Sequence, residues 1–213
     1  MTTPLQFYKK QLAQGHIQKD PEQARAMEQL EHIYHELILR QRQRNSTYGK
    51  IRRQIKPRAP IHGLYLWGKV GTGKTFLVDG FYECLPTKKI RMHFHKFMQQ
   101  IQNKLTKIQG TPDPLKVIAK EIADSTVVIC FDEFVVTNIT DAMILAELFK
   151  ALFEGGVCLI ATSNTPPDGL YKNGLQRQRF IPAIKLIEQY TEVLHVSTAK
   201  DYRLRHLEEA GVY

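Results

Sequence analysis

Gly68-Lys69-Val70-Gly71-Thr72-Gly73-Lys74-Thr75, with Phe76 directly behind it, decides the fold of this chain. The stretch reads G-x-x-x-x-G-K-[ST], and its flanks supply the context such a loop requires. Leu64-Tyr-Leu-Trp67 has the apolar run of a strand, and Phe76 to Leu85 has the pattern of a helix. Glycines let successive backbone N–H groups turn toward phosphate oxygens, and the N-terminus of the following helix adds partial positive charge. The Lys74 ammonium can then reach β- and γ-phosphates, and the Thr75 hydroxyl can ligate Mg²⁺. Gly68 to Phe76 is therefore expected to bind a nucleoside triphosphate.

Working outward, Thr126-Val-Val-Ile-Cys-Phe131 is β-rich and ends in Asp132-Glu133. That pattern describes a buried parallel strand with charge at its C-terminal end. In a phosphate-loop fold this end lies beside the phosphates. Asp132 is expected to hold the Mg²⁺ shell, and Glu133 to polarise a water for attack on the γ-phosphorus. Gly156 to Asn164 reads as a further strand ending in Thr162, Ser163 and Asn164. Ligands of open α/β sheets sit at the carboxyl ends of strands, so these polar residues fall beside Asp132. Asn164 is the chosen contact for the γ-phosphate or the lytic water, because its amide both donates and accepts.

Other elements follow from periodicity. Ala26, Leu30, Ile33, Tyr34, Leu37 and Ile38 form one stripe of a helix over Glu22–Leu39, with Asp20 as N-cap ahead of Pro21. Lys89–Phe94 reads as a strand, Lys96–Ile108 and a segment ending near Asp124 as helices. Thr140 is the expected cap of a helix through Leu152, and Glu192–Ser197 the last strand. The alternation predicts an α/β fold: a parallel five-stranded sheet with helices on both faces, in the branch of phosphate-loop NTPases that activates water with a carboxylate.

Composition agrees with an enzyme domain. A chain of 213 residues, 43% hydrophobic, is long enough to bury one good core. No apolar run nears the roughly 18 residues a membrane span needs, and the polar start Met1-Thr-Thr-Pro-Leu-Gln6 is no signal peptide. Cys84, Cys130 and Cys158 form no C-x-x-C pair, and two of them sit in apolar strands. A reducing, cytoplasmic location is the expectation.

The net charge of +9 has a local origin. Arg40, Arg42, Arg44, Lys50, Arg52, Arg53, Lys56 and Arg58 occur without an intervening acid, and without them the chain is nearly neutral. With Asn45-Ser-Thr-Tyr-Gly49, Pro57 and Pro60, this stretch reads as an irregular connector. Such a cluster attracts any polyanion, nucleic acid or anionic membrane included. The expected organisation is an N-terminal helical segment (1–39), a basic connector (40–60) and an ATPase core (61–213).

Several longer motifs carry a resemblance. Leu64–Gly68, His93-Phe-His95-Lys-Phe-Met98, Cys130-Phe-Asp-Glu-Phe134, Asp141-Ala-Met143, Ala161–Asn164, Leu170–Arg177 and Asp201-Tyr-Arg203 resemble the ZapE cell-division ATPases and their mitochondrial AFG-like relatives, an AAA+ family. The resemblance runs from about Pro4 to Arg203, with Gln102 and Asn138 standing where the family pattern has His and Asp. It implies ATP and Mg²⁺ as cofactors, hydrolysis of ATP, and remodelling of a protein client such as the tubulin-like division protein. It also places adenine near Asp20, Gln23 and Ile61-His62-Gly63. An AAA+ ring implies an arginine finger entering a neighbour's site, with Arg177 ranked ahead of Arg179. Family members continue past Asp-Tyr-Arg into a helical lid, whereas ten residues follow Arg203 here. A lid is therefore expected to be absent, and turnover and ring assembly to be weak. Two other functions fit the same residues: a DNA-associated protein of the helicase-loader kind, and a nucleotide-binding module with little turnover.

Overall fold

Five strands carry the apolar runs in a computed structural model that describes residues 2–45 and 60–197. They are β1 (Gly63–Trp67), β2 (Lys89–His93), β3 (Val128–Asp132), β4 (Cys158–Ser163) and β5 (Thr191–His195). All pair in parallel, in the order β2-β3-β4-β1-β5, so the strand of the phosphate loop and the Asp-Glu strand are separated by β4. The helices among the described residues are α1 (Pro4–Ala13), α2 (Pro21–Asn45), α3 (Lys74–Cys84), α4 (Phe94–Lys107), α5 (Pro114–Ser125), α6 (Ile139–Glu154) and α7 (Arg177–Tyr190).

Strand alternation divides the core in two. Leu64, Leu66, Val128, Cys130, Cys158 and Ile160 face a layer built by α1, α2 and α3, where the expected stripe of α2 packs. Tyr65, Ile129, Phe131, Leu159 and Ala161 face α4 to α7. Burial in the first layer pushes the Cys130 thiol up to about 12, consistent with an inert packing residue.

Several boundaries differ from expectation for identifiable reasons. Asp20 does cap α2, its Oδ1 accepting from the N–H groups of Glu22 and Gln23 at 2.9 Å each. Helix α2 then continues to Asn45, into the basic run. Arg40, counted in that run, is structural: its guanidinium donates to the Gly156 carbonyl at 3.2 Å. The connector from 46 to 59, and Asp201-Tyr-Arg203 with everything else beyond 197, lie outside the described residues. Helix α6 is capped by Asn138, which accepts from the Asp141 N–H at 2.8 Å, and Thr140 is already inside the helix. Gln102 and Asn138, the two departures from the family pattern, meet on one buried carboxylate. Their amides donate to opposite oxygens of Asp141 at 2.6 and 2.7 Å. Helix α1 lies in the expected N-terminal helical segment without having been delimited there, and α7 has no counterpart in the sequence reading. The first is signalled by a capping box between Thr3 and Gln6. The second contains Pro182, normally a helix breaker at about 3 kcal/mol, offset by burial of Phe180, Ala183, Ile184 and Ile187.

Candidate nucleotide-binding and hydrolysis site

The phosphate loop joins the end of β1 to the start of α3. Gly71 and Gly73 adopt left-handed backbone, φ 87° and 85°, a region that L side chains rarely enter. Gly68 has a second constraint: a Cβ there would stand 2.1 Å from the Val196 carbonyl oxygen. The loop is anchored on both sides, since Gly68 N–H donates to Ser163 O and Val196 N–H to Trp67 O. Lys74 is 8% exposed, and its ammonium donates to the carbonyls of Gly68 and Lys69 at 2.7 Å each and to Thr72 Oγ1 at 3.3 Å. Burial lowers its pKa. Thr75 is exposed at the first turn of α3.

Asp132 closes β3, and β4 holds the residues after it. The Glu133 N–H donates to Thr162 Oγ1 at 3.2 Å, Phe134 N–H to Thr162 O at 2.7 Å, and Ser163 Oγ to Phe134 O at 2.7 Å. These bonds keep Glu133 at φ 53°, a strained region for a side-chain-bearing residue. Its carboxylate projects toward β2, with Oε2 3.7 Å from His93 Nδ1. Of the three polar residues ending the β4 stretch, Thr162 and Ser163 are buried and engaged, and Asn164 is exposed.

Arg91 is the site residue that the sequence reading missed. From β2 its Nε donates to Asp132 Oδ2 at 2.8 Å and its NH2 to Asp132 Oδ1 at 3.1 Å, while NH1 bonds Asp79 on α3. Burial alone would pull the Arg91 pKa down, but hydrogen bonds and charges from Asp132 and Asp79 more than offset it and raise it. The signal lay in pairing: Arg91 sits opposite Cys130, so its side chain shares a face with Asp132.

The expected adenine residues divide. Gln23, 2% exposed, donates from Nε2 to the Thr72 carbonyl at 3.0 Å, and its Oε1 is buried without a hydrogen-bond partner. Asp20 is spent on its cap. His62 Nε2 lies 2.9 Å from the Gln189 carbonyl, to which it donates. Arg177 is half-buried at the start of α7, its NH2 donating to the Asp168 carbonyl at 2.5 Å, whereas Arg179 is exposed.

Residues 2–213 match the family model described as AFG1-like ATPase. The chain is 47% identical over 226 residues to the cell division protein ZapE of Escherichia coli strain K12, covering 99% of this chain and 59% of that one. It therefore spans less than two thirds of that relative's length. Among solved structures, AMPPCP-bound DnaA from Aquifex aeolicus superposes with a TM-score of 0.56 at 16% identity, covering 98% of this chain and 54% of the other. The DnaC helicase loader gives 0.54 at 16% identity, covering 85% and 93%. The structural likenesses show that the chain shares its fold with these two proteins.

Proposed function

This chain belongs to the AFG1-like ATPase family, and from that premise we propose that it binds ATP with Mg²⁺ and hydrolyses it to remodel a protein client of the division machinery. The observation that carries the reading is the convergence of the phosphate loop and Asp132-Glu133 at the carboxyl ends of β1 and β3, two parallel strands bound together through β4, which lies between them.

The backbone of Gly68 to Phe76 holds the phosphates, and Lys74 leaves its own loop carbonyls for the β- and γ-phosphate oxygens. Thr75 and Asp132 offer only oxygen donors, the set a hard divalent cation takes; they would hold Mg²⁺, which when bound would offset the charge of the phosphates. Glu133 accepts a proton from water as the water oxygen bonds the γ-phosphorus and the bond to the bridging oxygen breaks. Asn164, exposed at the rim, hydrogen-bonds the γ-phosphate or that water. Gln23 and the 61–63 stretch flank the base. Arg177 or Arg179 enters a neighbour's site, where a guanidinium suits the spread of charge over phosphoryl oxygens. The client reading rests on the division name of the relative, and the cytoplasm is the compartment in which such a client is met. No described helix is long and apolar enough to cross a membrane.

Phosphate release from ATP, measured alone, with the purified tubulin-like division protein and with single-stranded DNA, tests these assignments. Stimulation by the division protein is the expected result. Stimulation by DNA alone would replace it with the helicase-loader reading, for which the basic residues after Arg40 are the support. Nucleotide binding without release under all three conditions would leave a binding module.

A further inference from the structure

Both halves of the site hold themselves together with the chain's own cation. Lys74 lies on the carbonyls of the loop it serves, and both oxygens of Asp132 are taken by one guanidinium. The two arrangements differ in chemistry. A lysine on backbone carbonyls gives up neutral partners when phosphates arrive. Arg91 is bound to a carboxylate through a two-pronged contact, with a second carboxylate, Asp79, behind it. Asp132 is 15% exposed at its side chain and Arg91 17%, so water screens this pair weakly.

A carboxylate so placed meets two opposing requirements. Unpaired, it would repel the four negative charges of a metal-free nucleoside triphosphate. Fully paired, it offers an incoming divalent cation less charge, and one lone pair of each oxygen is already engaged. The planar fork of arginine also fixes the carboxylate plane, which a lysine point charge cannot do.

We propose that Arg91 is a positioning residue of the metal half-site: it acts as the resident counter-cation of Asp132, permits metal-free nucleotide to enter, and competes with Mg²⁺ for the Asp132 oxygens. It therefore sets how much Mg²⁺ the site requires. The inference rests on the ATP reading above, and it assigns a role to a residue of β2 that lies outside both phosphate motifs.

The test is a titration of a fluorescent ATP analogue into the full chain, once in EDTA and once across a Mg²⁺ series, for wild type, Arg91→Met and Arg91→Lys. Arg91→Met exposes Asp132 and Asp79 to the nucleotide. It should weaken metal-free binding by about tenfold or more, because two carboxylates then face the nucleotide's charge without their counter-cation. Its Mg²⁺ midpoint should fall to a lower concentration by a similar factor. Arg91→Lys keeps the charge and loses the fork. It should hold metal-free affinity within about threefold of wild type and lower the Mg²⁺ midpoint by roughly threefold, since one carboxylate oxygen is released. Equal loss of affinity with and without Mg²⁺, at an unmoved midpoint, would reduce Arg91 to a structural ion pair and overturn the proposal. Should the Met variant fail to fold, an unmoved or raised midpoint in the Lys variant does the same. Absence of binding by wild type in both conditions would instead remove the ATP reading itself.

Discussion

On the face that carries α1, α2 and α3, polar side chains reach across the packing to the phosphate loop. On the face that carries α4 to α7, rings in tilted and edge-on contact join helices and strands. Gln23 from α2 grips the Thr72 carbonyl, and Asp79 from α3 shares Arg91 with Asp132. The opposite layer runs Phe97, Phe131, Phe94, Phe134, Phe149 and Phe153 in a chain of ring contacts, ending on Tyr190. Rings fix distances and leave nothing for a phosphate or a proton. Amides and carboxylates turned toward the loop can register what occupies it. One layer is thus placed to respond to nucleotide, and the other to keep β3 and β4 in line while it does.

The strongest challenge to that division is Lys74→Ala. It should abolish ATP affinity in a binding titration, because the ammonium is the main side-chain cation on the β- and γ-phosphates. Retained affinity would move nucleotide recognition away from this loop. Glu133→Gln should leave affinity intact and slow phosphate release by about 10²–10⁴-fold, the usual range for loss of a general base. A Gln variant that binds as poorly as the Ala variant would show Glu133 to be a ligand of the nucleotide.

Paired core truncations sharpen the comparison. Leu30→Ala on α2 and Leu148→Ala on α6 both empty fully buried positions, each costing about 2–5 kcal/mol in denaturant unfolding. Only Leu30→Ala should also weaken nucleotide binding, since α2 carries Gln23. Equal effects on binding would erase the distinction between the layers. The smallest effect is expected from Arg177→Ala, which should change little in the dilute isolated chain. At concentrations where the chain assembles, mixing Arg177→Ala with Glu133→Gln chains should restore activity that neither has alone. No recovery would shift the finger to Arg179, the more exposed of the two.

The contrast also explains what was legible in the sequence. The phosphate loop and the Asp132-Glu133 strand are local patterns whose chemistry is written within a few residues, so their elements and exposed hydroxyl and carboxylate groups could be read directly. Arg91 could not, because it reaches Asp132 across 41 positions and only the β2–β3 register brings them together. The retention of Arg177 on the Asp168 carbonyl is likewise a contact of a folded turn, not of a motif. Helix α7 was hidden by Pro182, whose local preference is outweighed by the burial of its neighbours. Asn138 and Thr140 compete as caps two residues apart, and the backbone chose the one whose amide also holds Asp141.

The bond from Gln23 to Thr72 has a mechanical meaning. Helix α2 has 25 residues and is about 37 Å long, with Gln23 in its first turn and Asn45 at its far end. It is a rod whose first turn rests on the phosphate loop and whose last turns lie within the basic run. Leu30, Ile33 and Leu37 seat that rod in the core along its length, so a push on the Thr72 carbonyl is carried into the layer that α2 shares with α1 and α3. The contact thereby ties the packing of the whole first layer to the occupancy of the loop at its edge.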